Sequence, residues 1–171
     1  MRVHEKGIDT FEKDINLSVN KNVHDERKAA LFEKKLRSTA LQPVVAFSAM
    51  KNAPQEHVGL NQNIIFDKVI TNEGGGYDAL HGVFIAPQSG YYVFSSTALT
   101  TVNGEIHTAM VHNANIIAYI YGHGDNGRHD QGSQTVVTWL NVGDEVDVQN
   151  KDYTDTSIFG SLYSSFSGYL F

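Results

Sequence analysis

The sequence lacks cysteine altogether and is poor in proline and tryptophan, with three prolines and one tryptophan among its 171 residues. Without cysteine, the chain can form neither a disulfide framework nor a thiolate metal site, and it has no cysteine nucleophile. No apolar stretch approaches the ~20 residues of a membrane-spanning helix, and residues 1–14 lack the apolar run of a signal peptide. The compartment stays open, because a protein with a well-packed core needs no disulfide outside the cell.

Positive charge is also scarce, and it is unevenly distributed along the chain. The formal net charge is −6 at pH 7. Residues 1–40 contain nine Lys and Arg against seven Asp and Glu, whereas residues 41–171 contain four against twelve, so the two segments carry about +2 and about −8. A nucleic-acid partner is therefore not expected, since phosphate binding requires clustered Lys and Arg. Apolar residues make up 41% of the chain, which is enough to form a packed core.

The composition divides the chain near residue 41, and residues 1–40 are predicted to be helical. The stretch HDERKAALFEKKLRS is rich in strong helix formers, and Pro43 would end any helix. A heptad frame has apolar residues at its two ends and polar ones in its middle, where Asn20–Asn22 could break the helix. This pattern favours a short coiled-coil oligomerisation segment, and the alternative is a solvated or partly disordered tail. The apolar seam positions are Ile8, Phe11, Ile15, Ala29, Phe32 and Leu36.

Residues 44–171 have the pattern of an all-β domain. About nine or ten short apolar stretches are separated by turn signals, which is typical of a β-sandwich or jelly roll. Side chains alternate between two faces along these stretches. In GYYVFSSTALTT, for example, Tyr92, Phe94 and Ala98 fall on one face. In DEVDVQN, Val146 and Val148 share one face, and Asp147 lies on the other.

The glycines and aromatic residues of this second part follow a recognisable spacing. Three adjacent glycines, Gly74–Gly76, suit a sharp loop between strands. The spaced positions are Phe66, Asn72, Tyr77, Phe84, Gly90, Tyr92 and Phe94. The pattern resembles the signature of the complement C1q globular-head domain, although Ser96 stands where that family has another aromatic residue. The stretches VAFSA, APQSGYYVFS, DQGSQTVVTWLNVGDEVDVQ and SSFSGYLF also resemble that family in the same order, so the resemblance covers residues 44–171.

The resemblance implies a ten-stranded jelly roll of two packed sheets, similar to tumour necrosis factor-like domains, preceded by a short helical segment. It also implies a compact homotrimer. The spaced aromatic residues would then fill the sandwich core or the subunit interface; they are Phe66, Phe84, Tyr92, Phe94, Phe166 and Phe171. The sequence has no Gly-X-Y repeat, so any stalk must be the helical segment rather than collagen.

The stretch YGHGDNGRHDQGS, residues 121–133, is the strongest candidate for ligand contact. It gathers polar side chains between two predicted strands, and four glycines allow it to bend; the candidate residues are His123, Asp125, Asn126, Arg128 and His129. Such a loop could hydrogen-bond sugar hydroxyls or a phosphate, with the planar fork of Arg128 as one donor. A cation bound by Asp125 and Asp130 is a second interpretation. The third is a hairpin tip that is merely solvated.

Calcium and tryptophan each leave two interpretations open. Some C1q-like trimers bind calcium near the threefold axis, and the resemblance carries that role to Asp130, at the start of its DQGS segment. The second acidic ligand of the family is missing, because Thr138 and Trp139 occupy that stretch, so no cofactor is required and calcium is doubtful. The indole of Trp139 is either a platform for stacking a sugar or an anchor in a subunit interface, and the interface is favoured.

No catalytic set is evident, and an enzyme is not expected. No nucleophile-elbow pattern occurs in the sequence. His107 and His112 are five residues apart on a predicted strand, so they point to opposite faces and cannot share a metal on one strand face.

The resemblance favours a secreted, soluble, trimeric pattern-recognition protein of innate immunity, similar to collagen-free invertebrate lectins. Its partners would be microbial glycans or lipopolysaccharide, bound by avidity through surface loops. One alternative is a cerebellin-like signalling or organising ligand for a protein receptor, although the cysteines usual in the N-terminal segment of those relatives are missing here. Another is a structural protein of the extracellular matrix. The loops choose the ligand, so the fold alone does not decide among these functions.

Overall fold

The computed structural model describes residues 3–40, 43–152 and 156–171. The chain forms two compact units, which meet in sequence between Pro43 and Val44. The first is a single α-helix, α1 (Val3–Ala40). It continues through Asn20–Asn22 without interruption, so the expected break at these polar residues is wrong. Its described large apolar side chains are all exposed; they are Leu17, Val19, Val23, Leu31, Phe32 and Leu36.

The second unit is a β-sandwich, as the sequence predicts. Its strands are β1 (Ala46–Met50), β2 (Gln55–Val58), β3 (Lys68–Glu73), β4 (Tyr77–Asp78), β5 (Val83–Ile85), β6 (Gly90–Leu99), β7 (Glu105–His112), β8 (Asn115–His123), β9 (Gln131–Leu140), β10 (Glu145–Asn150), β11 (Thr156–Ile158) and β12 (Ser165–Leu170). Sheet 1 has the order β3-β1-β12-β6-β9, and sheet 2 has the order β4-β5-β10-β7-β8. The ten strands of these sheets confirm the predicted jelly roll.

Three short strands were not anticipated from the sequence. They are β2, β4 and β11, and β2 pairs with β11 in a separate two-stranded ribbon. The apolar stretch IIFDKVIT, residues 64–71, is only partly a strand, because β3 starts at Lys68. Ile64 and Phe66 are fully buried nonetheless, and the Ile64 amide donates a hydrogen bond to the Val148 carbonyl at 2.7 Å.

Aromatic rings fill the space between the two sheets. Phe47 lies at the centre, with its ring centroid 4.9 Å from Tyr77, 5.0 Å from Phe84 and 4.9 Å from Phe166. Five of the six aromatic residues expected in the core or interface are buried there, namely Phe66, Phe84, Tyr92, Phe94 and Phe166. Each such side chain contributes about 1.5–3 kcal/mol through burial. The sixth, Phe171, is 89% exposed and lies outside this core.

The glycine run and its flanking residues form one turn. Gly74 and Gly75 have φ angles of 77° and 67°, a region that side chains disfavour. At Gly76 a Cβ atom would collide with the ring of Phe84. The Asn72 amide spans the turn, since its Nδ2 donates to the Tyr77 carbonyl at 2.9 Å and its Oδ1 accepts from the Tyr77 amide at 3.0 Å. These bonds explain the fixed spacing between Asn72 and Tyr77.

Candidate functional site

The 123–131 loop joins β8 to β9 and is fastened along its length to the neighbouring β6–β7 turn, residues 100–104. Its backbone and that turn exchange a series of hydrogen bonds: Gly124 N to Gly104 O at 2.8 Å, Asn103 N to Arg128 O at 3.1 Å, Thr100 N to Asp130 O at 2.9 Å, and Gly127 N to Asn103 Oδ1 at 2.8 Å. A loop held in this way is pre-organised, because little conformational entropy remains to be lost on binding.

A tight turn forms the tip of the loop. The Arg128 amide donates to the Asp125 carbonyl at 2.9 Å. Asn126 and Gly127 have φ angles of 50° and 80°, which suit an Asn-Gly pair better than other residues. Asp125, Asn126 and Arg128 are all exposed at this tip. Polar composition thus located the tip from the sequence, and the positive φ angles explain why asparagine and glycine occupy it.

Asp130 closes the base of the loop. Its Oδ2 accepts a hydrogen bond from the His123 amide at 2.8 Å, and its own amide donates to Thr100 Oγ1 at 2.8 Å. Hydrogen bonds from the His123 and Gln131 amides lower the pKa of the Asp130 carboxyl. The carboxylate predicted as a calcium ligand therefore already binds backbone N–H groups, and a cation would have to share it.

The ring of His129 is held in place by contacts within the domain. Its Nδ1 lies 2.6 Å from the Thr100 carbonyl, so this nitrogen carries the proton and donates. Its ring centroid is 4.7 Å from that of Phe159, which in turn is 6.0 Å from Tyr163. Tyr163 is exposed, and its carbonyl accepts a hydrogen bond from Gln131 Nε2 at 3.1 Å.

The neighbours of the loop were missed by sequence reasoning. Thr100, Phe159 and Tyr163 lie about 30 residues away from it on either side, and only the strand register brings them together. The extended β6 pattern was visible in the sequence, but the partner strand was not. The base of the loop therefore adjoins an exposed aromatic residue, Tyr163, through Gln131, where the sequence alone suggested purely polar surroundings.

The other described polar side chains do not form a metal site. Within residues 3–40, 43–152 and 156–171, no three His, Asp or Glu side chains converge in an arrangement that could hold a metal ion. His107 and His112 each face a different carboxylate: His107 Nδ1 contacts Asp152 Oδ2, and His112 Nε2 lies 3.1 Å from Asp144 Oδ2. The structure thus places the two histidines in separate environments.

The family follows from a comparison of the whole β unit with known domains. A family model for the C1q domain matches residues 46–171. The chain belongs to the C1q domain family. The proposed resemblance is thereby confirmed over nearly all of the β-sandwich.

Relatives of this C1q domain carry different names. The chain is 31% identical over 105 residues to complement C1q tumor necrosis factor-related protein 3 of Mus musculus, covering 61% of this chain and 43% of that protein. It is 32% identical over 104 residues to heavy metal-binding protein HIP of Mytilus edulis, covering 61% of this chain and 49% of that protein. The chain thus spans less than half the length of these relatives.

A solved structure shows the same fold at low sequence identity. The globular domain of zebrafish complement 1qA protein superposes with a TM-score of 0.62 at 17% identity, covering 74% of this chain and 96% of that one. At this identity the likeness supports the jelly roll of the C1q domain and no shared ligand. Among the described helical residues, no segment combines the length and apolar character needed to cross a bilayer.

The C1q domain also exposes an apolar area on the outer side of sheet 1, which we call the aromatic face. Its members are Tyr91, Val137, Trp139, Tyr169 and Phe171. The strand register places Tyr91 opposite Trp139 and Val93 opposite both Val137 and Tyr169. The Tyr91 and Trp139 rings are in edge contact, with centroids 5.1 Å apart. A contiguous exposed apolar area of this kind is typical of an association surface.

Proposed function

We propose that this protein is an extracellular, trimeric recognition protein of innate immunity that binds microbial glycans or lipopolysaccharide through the 123–131 loop. The rigid attachment of that loop to the β6–β7 turn carries the proposal. Within the described residues, no hydrogen bond or ion pair engages the Arg128 side chain, although the loop backbone is well bonded. A fixed backbone with an available guanidinium suits anionic sugars and phosphate groups, which accept bidentate hydrogen bonds.

The residues of the loop divide into two proposed roles. His123, Asp125, Asn126 and Arg128 are exposed and would contact the ligand. His129 would position the loop, since its ring is committed to Thr100 and Phe159. Asp130 would serve mainly as the carboxylate that closes the loop base, with calcium as an additional ligand to be tested.

Trimer formation is the second part of the proposal. The aromatic face would be covered by neighbouring subunits, because exposed aromatic residues at this density are enriched in interface cores. Trp139 would then act as an interface anchor. The exposed apolar side chains of α1, including Phe32 and Leu36, would associate in a coiled coil. Three weak sites on one rigid assembly would bind a dense microbial surface by avidity.

The proposal is tested with an array of glycans and bacterial polysaccharides, probed by the full chain with calcium and with a chelator. The R128A and H123A variants would lose binding to anionic glycans. R128K would retain only part of the binding to anionic glycans, because an ammonium lacks the planar fork of a guanidinium. The matched control is K68A, which removes an exposed cation on β3, away from the loop. Binding that survives in R128A and H123A would move the site elsewhere on the C1q domain.

A second candidate function is that of a ligand for a protein receptor. It is supported by the similarity to complement C1q tumor necrosis factor-related protein 3. An array without any selective binding, combined with saturable binding of the trimer to cultured cells after enzymatic removal of surface glycans, would favour this candidate. Binding to cells that occurs only in the presence of metal would instead favour the metal-binding role suggested by the name of protein HIP.

A further inference from the structure

A second cluster of exposed aromatic side chains lies on the opposite side of the sandwich from the aromatic face. We call it the tyrosine face, and it consists of Tyr119 and Tyr121 on β8, His107 on β7 and the carboxylates of Glu105 and Asp152. Tyr119 and Tyr121 are 49% and 52% exposed. They are two residues apart on one strand, so their side chains lie on the same face of sheet 2.

The rings of this face are arranged around the imidazole. The His107 ring centroid lies 4.9 Å from that of Tyr119 and 5.9 Å from that of Tyr121. The planes of His107 and Tyr121 are nearly perpendicular, at 89°. The rings therefore form an angled surface rather than a flat stack, and a compact group seated there would touch more than one ring.

Negative charge borders the rings on two sides. Tyr121 Oη donates a hydrogen bond to Glu105 Oε1 at 2.8 Å, and His107 Nδ1 contacts Asp152 Oδ2. The bond to Glu105 raises the pKa of Tyr121. A phenol that donates to a carboxylate has a more electron-rich ring, and electron-rich rings attract cations more strongly.

The wider surface has the same sign. β10 and the residues just beyond it carry Glu145, Asp147 and Asp152 against a single lysine, Lys151, although Asp147 among them is buried. The Nζ of Lys151 is already bonded to Asn61 Oδ1 at 3.0 Å and to Gln149 Oε1 at 2.6 Å. The face thus combines exposed electron-rich rings with an excess of carboxylates, which complements a positively charged group.

We propose that the tyrosine face binds an organic cation, namely a methylated or primary ammonium group or a guanidinium. The two tyrosine rings supply cation–π contacts, and Glu105 and Asp152 supply charge neutralisation. The site shares no residue with the 123–131 loop, although it adjoins the loop where His123 pairs with Glu105, and it does not depend on that loop binding a glycan. A single small cation held by two exposed rings would bind in the millimolar range.

The test is a titration of the full chain with choline at constant ionic strength, monitored by saturation-transfer NMR. The neutral isostere 3,3-dimethyl-1-butanol has the same shape without the charge. Choline is expected to saturate, and the alcohol is expected to bind at least 10-fold more weakly. Two further arms use Nα-acetyl-lysinamide and Nα-acetyl-argininamide, whose side chains are charged. They distinguish a free or lipid-linked ammonium from a basic protein side chain. Equal binding of choline and its neutral isostere would overturn the proposal.

Variants assign the binding to this face. Y119L and Y121L should each weaken choline binding several-fold, whereas Y119F, which keeps the ring, should leave it within 2-fold. E105Q should also weaken it without removing any ring. The matched control is Y163L, which removes an exposed tyrosine from the loop end of the domain. If the two leucine variants do not fold, E105Q and Y119F decide the matter. The assignment would then be contradicted if E105Q binds choline as tightly as the parent and Y119F loses as much choline affinity as Y163L does.

Discussion

At the scale of single residues, two aspartates three positions apart near β10 show how strongly the surroundings determine the behaviour of a carboxyl group. Burial raises the pKa of Asp147 to about 6, and its Oδ1 has no hydrogen-bond partner among the described residues. Asp144 shows the opposite, because hydrogen bonds from the Asn141 amide and from the Asn113 and His112 side chains lower its pKa to about 2. Sequence alternation placed Asp147 correctly on the outer face of its strand, but it could not foresee that this position is buried.

We expect D147N to stabilise the protein at neutral pH. The folded-state pKa of Asp147 lies above the ordinary value of 3.8, so the folded state holds the proton more tightly. Stability should then fall as the pH rises from about 4 to about 6. The gain in D147N should be on the order of 1–3 kcal/mol at pH 7.5 and vanish near pH 4. Thermal unfolding across this pH range measures it, and a variant less stable than the parent at pH 7.5 would contradict the expectation.

D144N provides a contrast with the opposite sign. The lowered pKa of Asp144 means that its contribution is present above about pH 4 and is lost as the pH falls toward 2. D144N should therefore have a lower melting temperature than the parent at pH 7.5, and the difference should shrink in acid. If both aspartate variants shifted the melting temperature in the same direction at neutral pH, the environments described for these two residues would be incorrect.

At the scale of secondary-structure elements, β8 and β9 bring the two sheets into close backbone contact. Gly132 on β9 faces the Tyr121 carbonyl on β8, and an added Cβ would collide with that oxygen and lie 2.9 Å from Ile120 Cγ2. Backbone atoms cannot move aside as a side chain can. This approach also fixes the position of the 123–131 loop, because the loop connects these same strands.

G132A should consequently destabilise the domain by about 2–3 kcal/mol, the usual cost of an overpacked site that must shift backbone. The matched control is S133A, at the next, exposed position of β9, which should change the free energy of unfolding by less than about 0.5 kcal/mol. Denaturant titration of both variants gives the comparison. A G132A protein as stable as S133A would show that β8 and β9 can separate without cost.

The elements that the sequence predicted are those that carry a local signal. Strands such as β6 and β10 alternate clearly and end at turn residues, so their positions could be derived from periodicity. The β2–β11 ribbon could not, because strands of three and four residues carry too little pattern, and the paired residues Val58 and Thr156 lie far apart in sequence. The candidate loop followed the same rule: its polar tip was evident, whereas the anchoring of His129 by Thr100 depends on tertiary structure.

At the scale of the whole molecule, the only tryptophan reports on assembly. Trp139 is 49% exposed in the protomer and lies within the aromatic face. Burial of this indole in a subunit interface would shift its fluorescence emission to the blue. We expect V137E to place a charge in the centre of that face, dissociate the proposed trimer and shift the emission to the red.

Sedimentation velocity and fluorescence should be measured on the same samples. Y163E is the matched control, since it adds a charge at an exposed aromatic position of the loop end, and it should leave both the sedimentation coefficient and the emission unchanged. A monomeric parent protein would remove the basis for binding by avidity, whereas a trimeric V137E protein would place the subunit interface on another surface.

The position of β12 within sheet 1 has a consequence for biosynthesis. This strand follows every other strand of the sheet in sequence, yet it lies between β1 and β6, with Ala46 paired to Tyr169 and Leu170 paired to Tyr92. Pairings that join such distant residues make folding slow. A chain emerging from the ribosome cannot complete this sheet until residues 165–170 are free, so the edges of β1 and β6 that pair with β12 stay open until then. Chaperone binding to the nascent chain should therefore persist until synthesis has passed β12.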